Sequence, residues 1–233
     1  MKRFNLLWFV EDLAPLEATL LVLVIGSFLV STGWFGDCQL LGFSTNNPVG
    51  IITSIFTHVS PQHLNGNLLG LAFYTTLIAL STGILSFTAE DWRTAKILSM
   101  GYVYAAFLPH LLILAFQLHS LPEGTVICGM SLAVFSIHGY AFILSVTTLL
   151  VLVLKVFWLR VFNPLIHFPE SKIVFLVLSV MLLLASLSPM IEAGSLQSFF
   201  GGEVSQANVE GHFFAMICGT ILGFISLLRL QKI

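Results

Sequence analysis

The sequence predicts an all-α polytopic membrane protein: six transmembrane helices with both termini in the cytoplasm.

 Three observations predict it. Of 233 residues, 57% are hydrophobic and only 9% charged, with a mean hydropathy of +0.99; a soluble domain carries roughly a quarter charged residues. Six stretches reach the about 20 mainly apolar residues that a bilayer-crossing helix needs, at about 14–30, 63–85, 97–118, 126–154, 173–190 and 211–228. Lys and Arg favour cytoplasmic loops, and a six-span path with an inner N-terminus places all nine of them inside: Lys2, Arg3, Arg93, Lys96, Lys155, Arg160, Lys172, Arg229 and Lys232. The outer segments then carry Asp37, Glu123, Glu192, Glu203 and Glu210.

Each element follows in order. Glu11 and Asp12 precede the first apolar run and no small-residue cleavage site follows it, so the first span is expected to be retained. Glu17 is expected near its cytoplasmic end, within reach of the inner interface. The loop at about 31–62 is the longest connection, and Gly33, Trp34, Phe35, Gly36 and Phe43 suit a segment lying partly in the interface. Pro109 is expected to kink the third span. The fourth region is long enough for two short helices, but splitting it would put Arg160 and Lys172 outside, so one over-long helix is predicted. His110, His119, His138 and His167 read as interfacial residues. No repeat or low-complexity tract divides the chain, and residues 1–233 read as one domain.

Other function classes recede on composition. The net charge of −2 and the lack of a basic cluster argue against nucleic-acid binding. Cys38, Cys128 and Cys218 are too few and too scattered for a disulfide framework or a zinc motif, and two of them read as small packing residues in apolar runs. No metal and no cofactor is expected.

Polar residues at the ends of three spans carry the functional signal, because burying such groups in hydrocarbon is costly. Spans two, four and six run the same way, so their N-terminal ends share one face. At about 1.5 Å per residue, Asn67 lies about 6 Å below a helix start at His63. Ser131 lies about 7 Å below a start at Val126, and His212 a similar depth below a start near Asn208. His63 and Asn67 are four apart and project from one helical face; both donate hydrogen bonds, as a developing oxyanion requires. Ser131 sits in the first turns of its helix, where unpaired amides and the dipole favour an anion. Histidine's unperturbed pKa is near neutrality, so His212 suits the role of general base for that serine. Phe135, one turn after Ser131, is placed to pack on the His212 ring. Ala215, Gly219 and Gly223 recur every four residues and would let the sixth helix approach the fourth.

These residues resemble a known family. Phe56-Thr57-His58 followed by His63-Leu64-Asn65-Gly66-Asn67 resembles the second-span signature of rhomboid intramembrane serine proteases, and Gly129-Met130-Ser131 resembles their nucleophile motif. Gly211-His212-Phe213-Phe214-Ala215, continuing to Gly219, resembles their sixth-span histidine followed by small residues. The resemblance spans about 14–229 and implies a six-helix bundle of the compact prokaryotic type. It implies a Ser131–His212 dyad without a third acid, an oxyanion hole from His63, Asn67 and the Ser131 amide, and a supporting role for His58. It further implies transmembrane protein substrates, cleaved near the outer membrane face, while the compact six-span form without extra domains suggests a bacterial or archaeal cell membrane. Two positions depart from the pattern: Leu132 replaces a glycine, and is expected to face lipid, and Ala215 replaces another. The first outer loop also lacks an Arg to pair with Trp34. The rival expectations are a non-catalytic rhomboid-like protein that binds transmembrane clients, and a metal or proton transporter using His58, His63 and His212. The second lacks the carboxylates in its central spans that cation pathways use.

Overall fold

A computed structural model of the chain describes residues 6–31, 38–91, 93–162, 170–193 and 209–230. Eight α-helices occur among them: α1 Leu6–Ser31, α2 Cys38–Leu41, α3 Gly50–Thr53, α4 Pro61–Ala89, α5 Arg93–Gln117, α6 Ser131–Phe162, α7 Glu170–Glu192 and α8 Val209–Leu230, with a 3₁₀ turn at Ser54–Phe56. Six of these, all but α2 and α3, are long and apolar enough to cross a membrane. The chain is therefore an all-α, multi-pass membrane protein. The interfacial reading of Gly33, Trp34, Phe35 and Gly36 lies outside the described residues. So do Asp37, His167, Glu203, Lys2, Arg3 and Lys232, and the side chains of Arg160 and Lys172.

The boundaries have local causes. Ser60 caps α4 by accepting the His63 amide at 3.1 Å, and Pro61 follows at the first helical position, where its missing N–H costs nothing. At the other end Glu90 turns left-handed with φ 56° and stops the helix. α1 begins well before residue 14, so exposed Glu17 lies nearly three turns into a helix that starts at Leu6. α5 continues through Pro109 to Gln117.

α6 packs against α4, α5, α7 and most extensively against α8. Apart from half-buried Phe135, its residues 132–141 are all buried, as expected of a helix apolar on every side. Glycines permit the α6–α8 approach: a methyl at Gly139 would overlap the Met216 carbonyl, and one at Gly219 would overlap the Ser136 carbonyl. Some buried polar groups are paired across helices, which a low-dielectric interior rewards. Tyr140 donates to the Leu98 carbonyl at 2.7 Å and Thr75 pairs with Tyr102 at 2.9 Å. His138 donates to the Ser186 carbonyl at 2.8 Å while stacking on Tyr74.

The long first loop is packed onto the bundle. Phe43 and Ile127 exchange both backbone hydrogen bonds, at 2.9 and 2.8 Å, in an antiparallel bridge. Cys38 and Cys128 flank that bridge and form a disulfide, with Cα atoms 5.9 Å apart. Phe43 is fully buried with Ile113, Leu114, Leu132 and Ala215 in a small second core beneath the loop. Three expectations are corrected here. Cys128 is cross-linked to Cys38 and is not a packing residue, because loop docking brings together positions 90 apart in sequence. Phe43 is a core residue, because the bridge to Ile127 directs it inward. His110 and His138 are buried at 1% and 0% exposure, because partners on neighbouring helices and loops draw them in, whereas His119 is exposed as expected.

Candidate active site

Ser131 is the first residue of α6, not the second turn of a helix starting at Val126. The reason is local. Ile127 is committed to the bridge with Phe43, and Gly129 adopts φ 108°, a left-handed conformation that a residue with a side chain rarely takes. A side chain at Gly129 would also collide with the His63 ring. The helical ladder begins with the Val134 amide donating to the Met130 carbonyl at 2.9 Å. The amides of Ser131, Leu132 and Ala133 precede it, so the positive end of the helix dipole opens at the serine.

α8 brings His212 to the same point. Its Nε2 lies 2.8 Å from Ser131 Oγ, although the residues are 81 apart in sequence. The imidazole stacks on Phe135 with centroids 4.5 Å apart and planes 23° from parallel, which fixes the ring one turn below the serine. His212 is buried at 8% exposure, and Ser131 is half-buried. Glu210 in the first turn of α8 complements the dipole there. Gly219, one and two turns beyond Ala215 and His212, lets the two helices touch closely enough for the pair to meet.

α4 supplies the next layer. His63 is half-buried and lies against the Gly129 α-carbon, two residues before the serine. Asn67, one turn further, is 8% exposed. Asn67 Nδ2 and His63 Nδ1 are buried without a hydrogen-bond partner. Such groups are rare in a settled core and suit a site whose partner is a ligand. His58 meets His63 edge to face at 5.3 Å and reaches Ser31 Oγ at 3.4 Å. Burial, reinforced by the neighbouring His63, pushes the His58 pKa down to about 4, so this ring is neutral near pH 7.

Leu132 faces inward at 2% exposure, correcting the expectation that it meets lipid. It packs in the second core with Ala215, so the two positions that depart from the family pattern fill one space together. Sequence reasoning missed Ser54. Its carbonyl accepts the Gly129 amide at 2.9 Å and so anchors the segment leading to Ser131. No spacing signal marks it, because the contact joins two loops. Among the described residues, no three His, Cys, Asp or Glu side chains converge to hold a metal ion. The chain matches no protein-family model, no curated protein and no solved structure.

Proposed function

We propose that the chain is an intramembrane serine endopeptidase of rhomboid type, with Ser131 as nucleophile and His212 as general base. The observation that carries this reading is the 2.8 Å contact between Ser131 Oγ and His212 Nε2 where two apolar spans begin. A hydroxyl hydrogen-bonded to an imidazole is the minimal activated nucleophile. The Ser131 hydroxyl donates its proton to Nε2 as Oγ adds to the carbonyl carbon of the scissile bond. The charge that develops on the carbonyl oxygen is met by the Ser131 amide, Asn67 Nδ2 and the His63 ring, in a region of low dielectric. His212 then returns the proton to the departing amine as the C–N bond breaks. A water molecule, deprotonated by the same ring, hydrolyses the acyl-serine and restores the hydroxyl.

The substrates in this reading are transmembrane proteins. A helical carbonyl is hydrogen-bonded and shielded, so the substrate must unwind locally before attack, and small or helix-weakening residues near the cleaved bond favour this. The asymmetry of Lys and Arg supports cytoplasmic termini and a site toward the extracytoplasmic side of a cell membrane. The test is cleavage of a reporter transmembrane substrate in liposomes by wild type, Ser131→Ala and His212→Ala. Both variants are expected to lose cleavage while remaining folded. Full activity in either would remove the dyad assignment.

A further inference from the structure

We propose that His110 of α5 is a positioning residue for the nucleophile, acting through Ser54 on the Gly129 segment; this rests on the reading of Ser131 as the nucleophile. His110 Nε2 lies 3.1 Å from Ser54 Oγ, and both residues are buried, at 1% and 0% exposure. The Ser54 carbonyl accepts hydrogen bonds from the Gly129 amide at 2.9 Å, from Thr57 Oγ1 at 2.9 Å and from the Thr57 amide at 3.2 Å. A chain of polar contacts thus runs from the middle of the bundle to the residue two before Ser131. His110 Nδ1 is buried without a hydrogen-bond partner. With the proton on Nε2 the ring donates to Ser54 Oγ, and in the other tautomer Nε2 accepts from the Ser54 hydroxyl; either way one hydrogen bond joins the two side chains.

The need for such a brace follows from the geometry around it. Gly129 holds a left-handed backbone conformation against the His63 ring, and the α6 ladder starts only afterwards. Its amide is held by one acceptor in a neighbouring loop. If Ser54 rotates or shifts, the Ser131 amide and hydroxyl move relative to Asn67 and His212. A displacement of about 1 Å in a reacting group can cost roughly 100-fold in rate. The second core and the Cys38–Cys128 cross-link hold the remainder of this segment, so removing the brace is expected to misplace it without unfolding the bundle.

The experiment uses the full chain in nanodiscs. His110→Leu is expected to lower kcat roughly 10-fold to 100-fold with KM nearly unchanged. His110→Gln, which places an amide N–H near the position of Nε2, is expected to recover most of that loss. Ser54→Ala should match His110→Leu, and the double variant should be no worse than either single one, since both remove the same contact. Hydrogen exchange of the 126–131 backbone gives a readout independent of catalysis and should accelerate in His110→Leu but not in His110→Gln. Wild-type kcat in His110→Leu, or equal losses in the Leu and Gln variants, would overturn the proposal. So would additive losses in the double variant. Absence of Ser131-dependent cleavage by wild type would sink the protease reading alone; unchanged exchange in His110→Leu would then sink the brace as well.

Discussion

At one end of the bundle Ser54, His63, Asn67, His110, Ser131 and His212 gather beneath a loop that is bridged and cross-linked to the start of α6. At the other end a cavity of about 550 Å³ has mainly apolar walls, including Leu85, Val151 and Phe224. Its main polar contact is the exposed Lys155 ammonium, which donates to the Thr88 carbonyl at 2.7 Å. Both ends belong to the same helices, so the difference is not one of secondary structure. It lies in how polar groups are handled. The far end leaves its charges at the surface, where they are cheap. Buried hydroxyls without a partner occur along the bundle, Ser81, Thr82 and Ser86 among them. But the site end also leaves the Asn67 amide and the His63 and His110 imidazole nitrogens unpaired, which stability alone does not favour. Unpaired donors beside a Ser–His contact are what a site built for a transient anion requires.

Substitutions at the two ends should therefore differ in kind. Asn67→Ala is expected to cost roughly 10²–10³ in kcat, the range for loss of one oxyanion donor, with little change in unfolding midpoint. Kinetics on a reporter substrate would measure it, and a loss confined to KM would assign Asn67 to substrate binding instead. Gly219→Val attacks the joint between α6 and α8 and not the chemistry. Overpacking there is expected to destabilise by about 1–3 kcal/mol, lowering the thermal midpoint and slowing cleavage together. An unchanged midpoint would mean that the helices tolerate a wider spacing than the structure shows.

Smaller effects sharpen the contrast further. His58 is held near pKa 4 when folded but titrates near 6.5 when unfolded. Between those values the unfolded chain binds more protons, so stability falls as pH drops from about 6.5 toward 4. The unfolding midpoint should be lower at pH 5 than at pH 7.5, and His58→Gln should narrow that gap; an identical gap in both proteins would move the effect to other groups. Lys155→Ala at the far end should change stability by no more than about 0.5 kcal/mol and leave kcat unaltered. A clear loss of kcat there would show that the two ends are coupled.

Much of the architecture was legible in the sequence because the bilayer sets a length and a composition for each span. The parallel course of spans two, four and six was legible too, and it anticipated the meeting of Ser131 with His212. What was not legible depends on contacts between loops. Val126-Ile127 reads as apolar helix by hydropathy, yet Ile127 pairs with Phe43 and delays the helix to Ser131. Hydropathy reports burial and does not distinguish a buried strand-like segment from a buried helix. The Cys38–Cys128 pairing and the Ser54–His110 contact have no periodicity to betray them. Leu132 was misplaced for a related reason: its burial depends on Phe43 arriving from the first loop.

The central claim is that Ser131 is an activated nucleophile. The most direct measurement is covalent labelling by a fluorophosphonate probe, with the modified residue located by mass spectrometry in folded protein reconstituted in nanodiscs. The account predicts a single adduct on Ser131 that forms in wild type and is lost in His212→Ala. An intact fold that takes up no probe, or labelling of Ser131 at the wild-type rate without His212, would contradict it.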